Sequence, residues 1–400
     1  MKGRGLSQAT GIAISPDGRN VYVAATGSNA VAIFARDAAD GHLRQLPGTA
    51  GCVARRGPEC AHARAIGQAT GIAVSPDGRN VYAIGHTLVV FDRDPATGAL
   101  EQKQGRAGCF ARLGAHGVCT VAPGLGSGTD VALSPDGRFL YAGSYAGIAV
   151  FERDPRTGAL RQLPGLDGCV IAEGRNEEGC GRARGIQYPQ SLVVSPDGRD
   201  LYTANFLVGS VAVFTRDPRT GAIAQLPGTA GCIAQEETGG TCGVGRALRG
   251  ATSIAISPDG RNVYATGQEE GGLAIFRRDP RTGALTQPDG RRGCVSENGP
   301  YVDCRGAIDF YGVLGVAVAP DGRAVYAIGD DLVAIFRRDP RSGDLSQLPG
   351  KAGCIAEQGY RGKCEDGVAL NDGVGIAISP DGRYIYGASL ASGAVTVFGR

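Results

Sequence analysis

Apolar residues come along this chain in short runs, GIAIS, NVYVAA and AVAIF in the first instance, each ended by a polar turn. The first run and its turn return six times. GIAISPDGRNVY at residues 11–22 reappears as GIAVSPDGRNVY, DVALSPDGRFLY, SLVVSPDGRDLY, SIAISPDGRNVY, GVAVAPDGRAVY and GIAISPDGRYIY. The turn aspartates Asp17, Asp77, Asp136, Asp197, Asp259, Asp321 and Asp381 are 60, 59, 61, 62, 62 and 60 residues apart, which leaves no room for an inserted domain. A fixed period of this kind marks a repeat architecture. Within a copy the order is GIAIS, PDGR, NVYVAA, a short polar loop, AVAIFARD, a turn of the DPRTG type, and GALRQL. Pro presets φ, Asp bonds its own backbone and Gly accepts positive φ, so both turns read as hairpins between antiparallel strands. Runs rich in Val, Ile, Tyr and Phe, several apolar on both faces, suit sheets packed between other sheets. The expected fold class is all-β: a seven-bladed β-propeller of four-stranded antiparallel blades, one domain over residues 1–400.

Composition supports this pattern. With 66 Gly, 21 Pro and no Trp in 400 residues, many tight turns are expected and long helices are not. No run approaches the roughly 18 apolar residues of a membrane helix. Lys+Arg 41 against Asp+Glu 39 gives a net charge of only +2, so neither nucleic acid nor an anionic membrane is an expected partner. The 42% hydrophobic content exceeds that of disordered chains.

The period is longer than the roughly 40–50 residues of common propeller repeats, and the excess follows the fourth strand, as at residues 47–70. These segments hold all the cysteines, as six pairs: Cys52/Cys60, Cys109/Cys119, Cys169/Cys180, Cys232/Cys242, Cys294/Cys304 and Cys354/Cys364. None is left over. A zinc reading fails on ligands, since no pair has C-x-x-C spacing and only His62 and His116 share these segments. Local disulfides are expected, and with them an oxidising, extracytoplasmic compartment. Met1 to Arg4 shows no apolar signal-peptide core, so the chain reads as a mature or excised segment. The start, GRGLSQAT, resembles the end of a long segment, and the last copy stops at Arg400 before a fourth strand. Either Lys2 to Leu6 supply a rudimentary outer edge or the last blade has three strands, and an extension beyond one or both ends is expected.

The seven-fold SPDGRNVYVA followed by VAVFxRDPxTGALxQL resembles the lactonase-like seven-bladed propeller family, related to cycloisomerase-type and phosphogluconolactonase-type proteins. The resemblance covers residues 11–398. It implies the propeller fold and, for members with known activity, the opening or closing of lactone rings near the channel mouth by His, Glu and Arg side chains. No motif here reproduces that set, and the cysteine-bearing segments depart from the family pattern.

Strand direction sends the PDGR and DPRTG hairpins to one face, and the second-to-third-strand loops with the long segments to the other. Tyr22, Tyr82, Tyr141, Tyr202, Tyr264, Tyr326 and Tyr386 share one repeat slot, and Phe34, Phe91, Phe151, Phe214, Phe276, Phe336 and Phe398 another. Identical use in every copy points to packing between blades. The Arg-Asp pairs that end the third strands (Arg36-Asp37 and its counterparts) are expected to stabilise their hairpins, cancelling each other's charge.

The copies differ most in the second-to-third-strand loops, which carry Asn29, His86, Tyr145, Asn205 with Phe206, Glu269 with Glu270, Asp330 with Asp331, and Ser389. His86, with Glu269 or Asp330, is the expected catalytic set: a general base for water attack on a lactone carbonyl, with Arg side chains on the oxyanion. Tyr145, Tyr188, Gln190, Phe206, Asp331 and Asp372 are the expected ligand-binding residues. Thr10, Thr70, Thr129 and Thr252 recur just before the first strands, where Gln190, Leu314 and Val374 break the series. The long segments are basic early (Arg55, Arg56, Arg64, Arg106, Arg112) and acidic later (Glu177, Glu178, Glu236, Glu237, Glu365, Asp366), so a polarised face is expected. No metal or cofactor is expected; structural calcium at an acidic loop such as Glu365-Asp366 stays open as an alternative, without the spacing of a recognised calcium site. There is no phosphate loop, G-x-S-x-G elbow or H-E-x-x-H.

The functional expectation is an exported monomeric scaffold that binds a polar small molecule or a protein through its stapled-loop face. The alternatives are a lactone hydrolase or cycloisomerase at the channel mouth, and a structural module of a larger surface protein. Thiol titration of the denatured, unreduced protein should find essentially no free thiol; a count near the full twelve cysteines would overturn the export reading.

Overall fold

In the computed structural model, which describes residues 3–175, 177, 179–236, 238–297, 303–307, 310 and 312–400, every repeat forms its own sheet. Glu178, Glu237 and Lys2 lie outside the described residues. The first sheet sets the pattern. β1 (Ala9–Ile14), β2 (Asn20–Ala25) and β3 (Ala30–Arg36) pair antiparallel, with Ala13 opposite Tyr22 and Tyr22 opposite Ile33. The PDG turn between β1 and β2 closes on itself: the Ser15 hydroxyl donates to Asp17 at 2.5 Å, and Gly18, at φ 69°, donates its N–H to the Ser15 carbonyl at 2.8 Å.

Beyond β3 the structure extends the sequence reading. β4 (Leu43–Gln45) covers only half of the outer edge, with Leu43 opposite Arg36 and Gln45 opposite Phe34. Pro47 has no N–H, and Gly48 turns to φ 54°, so the ladder breaks into a 3₁₀ turn over Gly48–Gly51. The chain then rejoins the same edge as β5 (Cys52–Ala54), with Cys52 opposite Ala32. After the cysteine-bearing excursion, β6 (Ala61–His62) adds parallel to β5. Six sheets therefore have six strands each where four were expected, and the last sheet has three, as one of the two expectations for it held.

The six cysteine pairs join within their own excursions, as their spacing led one to expect. Cys52 bonds Cys60, Cys109 bonds Cys119 and Cys169 bonds Cys180. Cys232 bonds Cys242, Cys294 bonds Cys304 and Cys354 bonds Cys364. No free cysteine remains to bind a metal. All six bridges span a Cα separation of 4.8 or 4.9 Å, so one backbone geometry serves excursions of unlike sequence. With partners 8 to 11 positions apart, each bridge restrains its excursion by about 3 kcal/mol on chain-entropy grounds.

The fold is a seven-bladed β-propeller, almost wholly strand, whose described helices are short 3₁₀ turns. Two compact units are distinguished. The first, residues 1–181 with 377–400, holds the first three sheets and the last two strands of the chain. The second, residues 182–376, holds the next three sheets. In both, the core fills the spaces between successive sheets, as with Tyr22, Val31, Ile33, Val81, Val89 and Phe91 in the first unit, and Tyr202, Val213, Val263 and Phe276 in the second. All seven repeat tyrosines are buried, as are six of the seven repeat phenylalanines; Phe398, on the three-stranded sheet, is half-exposed.

The Arg-Asp pairs work only in part as expected: the aspartates close their own hairpins, as Asp94 does by accepting the Ala96 N–H at 2.8 Å, but the arginines do not pair with them. Arg93 turns away from Asp94 and reaches back to the preceding sheet. Its Nη2 meets Asp17 at 2.9 Å and Asn20 at 2.6 Å, its Nε donates to the Tyr22 hydroxyl at 2.7 Å, and its Nη1 donates to the Gly78 carbonyl at 2.9 Å. Tyr22 in turn donates to the Gly98 carbonyl at 2.9 Å, in the hairpin of the sheet that sent the arginine. Arg153 makes the same set with Asp77, Asn80 and Tyr82, Arg278 with Asp197, Asp200 and Tyr202, and Arg338 with Asp259, Asn262 and Tyr264. Arg36 closes the first unit by taking Asp381 and Tyr386 from the last strands. Burial alone raises a carboxyl pKa, but the Ser379 hydroxyl, the Arg383 N–H and Arg36 together hold Asp381 down at about 2.

Removing such an arginine strands several buried polar groups at once. Arg153→Ala should lower unfolding free energy by about 3 kcal/mol in a denaturant titration, the low end of the range for a broken buried pair because water reaches part of Asp77. The exposed hairpin variant Arg156→Ala should change it by less than about 0.5 kcal/mol.

Candidate functional site

The loop-bearing end of each sheet is where positive φ appears on residues other than glycine. Gln8, Gln68, Tyr188 and Asp372 occupy equivalent positions just before their first strands at φ 54°, 44°, 58° and 54°. Behind them several first strands carry a bulge, between Ala9 and Ile12 and between Pro189 and Ser191 for example. Thr10 and Thr70, two residues further on, serve the framework: Thr10 Oγ1 donates to the Ala69 and Thr70 carbonyls at 3.1 and 3.2 Å, and Thr70 Oγ1 to the Gly128 carbonyl at 2.9 Å. Gln190 takes the equivalent place in its sheet, half-exposed.

In the first unit, His86 projects from the turn Gly85 to Thr87. That turn is fixed by the His86 N–H to the Gly67 carbonyl at 3.0 Å and the Thr87 hydroxyl to the Ala65 carbonyl at 2.6 Å. The exposed imidazole borders a cleft of about 530 Å³ that it shares with Arg55, Arg112, His116 and Leu113, over a floor including Ala65, Ala111 and Leu125. Arg112 is steered by Glu177, whose carboxylate stands 3.3 Å from its Nε and accepts the Gly124 N–H at 2.9 Å. That pair joins the basic early segments to an acidic later one, so the expected separation of charge is partly neutralised there. Arg64 is also absorbed, donating to the Lys103 and Gly105 carbonyls. His116 was weighed in the sequence only as a metal donor; at the tip of the excursion closed by Cys109 and Cys119, it joins His86 instead. Tyr145, half-exposed on the next sheet, lies beneath Arg175, with the guanidinium carbon 4.7 Å from the ring centroid.

The second unit gathers two further groups. Tyr188 and Phe206 meet edge to face, centroids 6.4 Å apart at 83°. Gly250 separates Phe206 from Glu269: a Cβ on it would lie 3.4 Å from the phenylalanine ring and 3.0 Å from Glu269 Cγ. Glu269 is exposed, while its neighbour Glu270 is turned inward. Gln235 donates to Glu270 Oε1 at 3.0 Å, and Arg249 stands at 3.8 Å. Burial, aided by the charge of Glu269 and opposed by Arg249, pushes the Glu270 carboxyl up. The other group is acidic. Asp330 lies against Gly312, where any Cβ would collide with its carboxylate, and its carbonyl accepts the Gly373 N–H at 3.1 Å. Burial, then the charges of Asp372 and Asp331, push its carboxyl up as well. Of the expected catalytic residues, Glu269 and Asp330 thus belong to the second unit and His86 to the first. Among the described residues, no three His, Cys, Asp or Glu side chains are grouped to hold a metal ion.

The family described as "Lactonase, 7-bladed beta-propeller" matches residues 2–51 and 188–293. Over those residues the chain is similar to the lactonase-like seven-bladed β-propellers. A 6-phosphogluconolactonase of Formosa agariphila is 28% identical to this propeller over 102 residues, a match spanning 24% of this chain and 24% of that protein. Solved structures share the fold. The periplasmic gluconolactonase of Pseudomonas aeruginosa superposes with a TM-score of 0.58 at 20% identity, over 84% of this chain and 83% of that one. A putative 6-phosphogluconolactonase of Bacteroides fragilis gives 0.56 at 20%, over 85% and 83%. Hydrazine synthase of Kuenenia stuttgartiensis gives 0.58 at 17%, over 100% and 97%. The six disulfides accord with an oxidising compartment.

A raised carboxyl pKa favours the folded state below the ordinary carboxylate pKa, and that advantage is lost as pH rises through the folded value. Asp330→Asn in this propeller should therefore raise the melting temperature at pH 7, with the gain disappearing below about pH 4. A gain that stays constant with pH would show that neither burial nor the neighbouring aspartates raise the Asp330 carboxyl.

Proposed function

We propose that this propeller is an extracytoplasmic lactone hydrolase acting on compact, polar, sugar-type lactones in the His86 cleft. The observation that carries the reading is the composition of that cleft, which sets two imidazoles and two guanidinium groups around an apolar floor. A hydroxy-acid lactone fits such a lining: the ring rests on the aliphatic side chains while the carbonyl oxygen faces the arginines. His86, as neutral imidazole, takes a proton from water as its oxygen attacks the lactone carbonyl carbon. Negative charge then gathers on the former carbonyl oxygen, where Arg55 and Arg112 stabilise it. Collapse breaks the bond to the ring oxygen, which receives a proton from the imidazolium; the new carboxylic acid then gives its proton to solvent, and the hydroxy-acid carboxylate remains beside the arginines. One water is consumed for each ring opened. The relative named as a 6-phosphogluconolactonase supports the same reaction class. Tyr145, Tyr188, Gln190, Phe206, Glu269, Asp330, Asp331 and Asp372 are assigned to the recognition of polar ligand groups at the loop-bearing ends of their sheets. A second reading, a protein-binding scaffold, is favoured by the aliphatic side chains exposed on the stapled excursions, among them Leu113 at 85%, Val244 at 63% and Val368 at 71%.

The test is a panel of aldonolactones assayed above spontaneous hydrolysis. His86→Ala should lower kcat/KM by about 10² to 10⁴ with the circular dichroism spectrum and melting temperature unchanged. An unchanged rate would remove His86 from the chemistry, and no activity on any lactone would favour the scaffold.

A further inference from the structure

The corner where a first strand begins and a second strand ends is filled by different chemistry in different sheets. In the fourth sheet Tyr188 precedes the first strand, Pro189–Val194, and Phe206 follows the second, Asp200–Asn205. The Phe206 N–H donates to the Tyr188 carbonyl at 3.2 Å, as the Thr26 N–H does to Gln8 at 3.0 Å in the first sheet and the Gln268 N–H to Gly250 at 3.1 Å in the fifth. In the first sheet the corner is polar and closed on itself, the Thr26 hydroxyl donating to the Gln8 carbonyl at 3.2 Å. In the fourth it is aromatic. Both rings are half-exposed, while the repeat tyrosine and phenylalanine of the same sheet, Tyr202 and Phe214, are wholly buried. Tyr188 and Phe206 thus hold apolar ring surface in water at the loop-bearing end.

The two rings stand at 83° with their centroids 6.4 Å apart, so a face of each bounds a right-angled corner. The fifth sheet keeps space clear beside Phe206 and charges it. Gly250 takes the repeat position that Tyr188 holds in the fourth sheet, and a side chain there would crowd both its neighbours. A Cβ would lie 3.4 Å from Phe206 Cε2 and 3.0 Å from Glu269 Cγ. The phenylalanine edge and the Glu269 side chain therefore flank one bare point of backbone. Glu269 is exposed. Arg249, a cation of the same region, is drawn to other carboxylates, standing 3.0 Å from Glu236 and 3.8 Å from Glu270.

We propose that Tyr188, Phe206 and Glu269 form a binding site for a small alkylated ammonium ion. Aromatic faces carry negative charge at their centres and attract a cation laid against them, and two faces at a right angle hold it from two sides. Glu269 supplies the opposite charge beside the rings. The alkyl groups follow from the same surroundings. A bare ammonium is strongly hydrated and needs acceptors for three N–H groups, which ring faces and a single carboxylate do not replace. Methyl groups on the nitrogen spread the charge, shed water readily and lie against the rings without needing an acceptor. The site uses none of the chemistry assigned to His86 and stands independently of the lactonase reading.

The probe is choline, titrated with the intact protein in the absence of any lactone and followed through its N-methyl proton resonance. The control is its neutral isostere, in which a tert-butyl group replaces the trimethylammonium group. Saturable binding of choline is expected, with the methyl protons shifted upfield by the ring currents and an affinity at least about tenfold above that of the isostere. Phe206→Leu removes one ring and should weaken choline binding at least about threefold. Glu269→Gln, a change at an exposed position, should weaken it by a similar factor by removing the counter-charge, and decides the matter should Phe206→Leu not fold. No saturable binding, equal affinity for choline and its isostere, an unshifted methyl resonance, or undiminished binding by either folded variant would each overturn the proposal.

Discussion

The contact on which the rest depends is the buried guanidinium that, within each unit, one sheet lends to the one before it, as Arg36, Arg93, Arg153, Arg278 and Arg338 do. Sheets packed face to face through small and aliphatic side chains can slide, because dispersion and burial are nearly indifferent to small lateral shifts. An arginine with its donors divided among a carboxylate, an Asn or Asp, a tyrosine hydroxyl and a glycine carbonyl allows one position only. Its cost when broken is high because every partner is wholly or partly removed from water. The tyrosine makes the bond reciprocal, since its own proton goes to the hairpin of the neighbouring sheet. Repeated from sheet to sheet in each unit, the contact fixes the hairpin-bearing end and so sets where the opposite, loop-bearing end can stand.

Much of the fold was legible because the turns and the period repeat. PDG and the longer DP turns are local chemistry, and seven copies mark where the strands begin. The partner of each arginine was not legible from adjacency, although strand alternation held the signal: Arg36 and Asp37 are neighbours in sequence and so project to opposite sides. Asp37 accepts the Ala39 N–H at 2.8 Å within its own turn, while Arg36 crosses to Asp381. The divided fourth position was hidden for a related reason. Pro47 and Gly48 read as the end of a strand, and nothing local says that the chain returns to the same edge a few residues later at Cys52.

The candidate site was legible only in outline. Differences between copies pointed to His86 and Asp330, and the structure gives each a distinct surrounding: an open cleft with arginines for one, a crowded acidic corner for the other. What repeats cannot reveal is which residues of unlike segments come together. His116 and Arg112 belong to an excursion with no counterpart of the same sequence, and Arg55 to another, so their convergence on His86 is a matter of three-dimensional folding. Glu270 shows a finer limit, since two adjacent glutamates differ in environment only because one of them is drawn under Gln235 and Arg249.

The staple of each excursion joins the start of one short strand to the foot of a parallel one, as Cys52 and Cys60 do for β5 and β6. Cross-linked feet isolate the tip from the sheet beneath. Insertions, deletions and unlike side chains at the tip leave the ladder undisturbed, and the spacing between partners already ranges from 8 to 11 residues. The molecule thereby owns six independently variable fingers on a constant palm, an arrangement suited to acquiring new specificities without renegotiating stability.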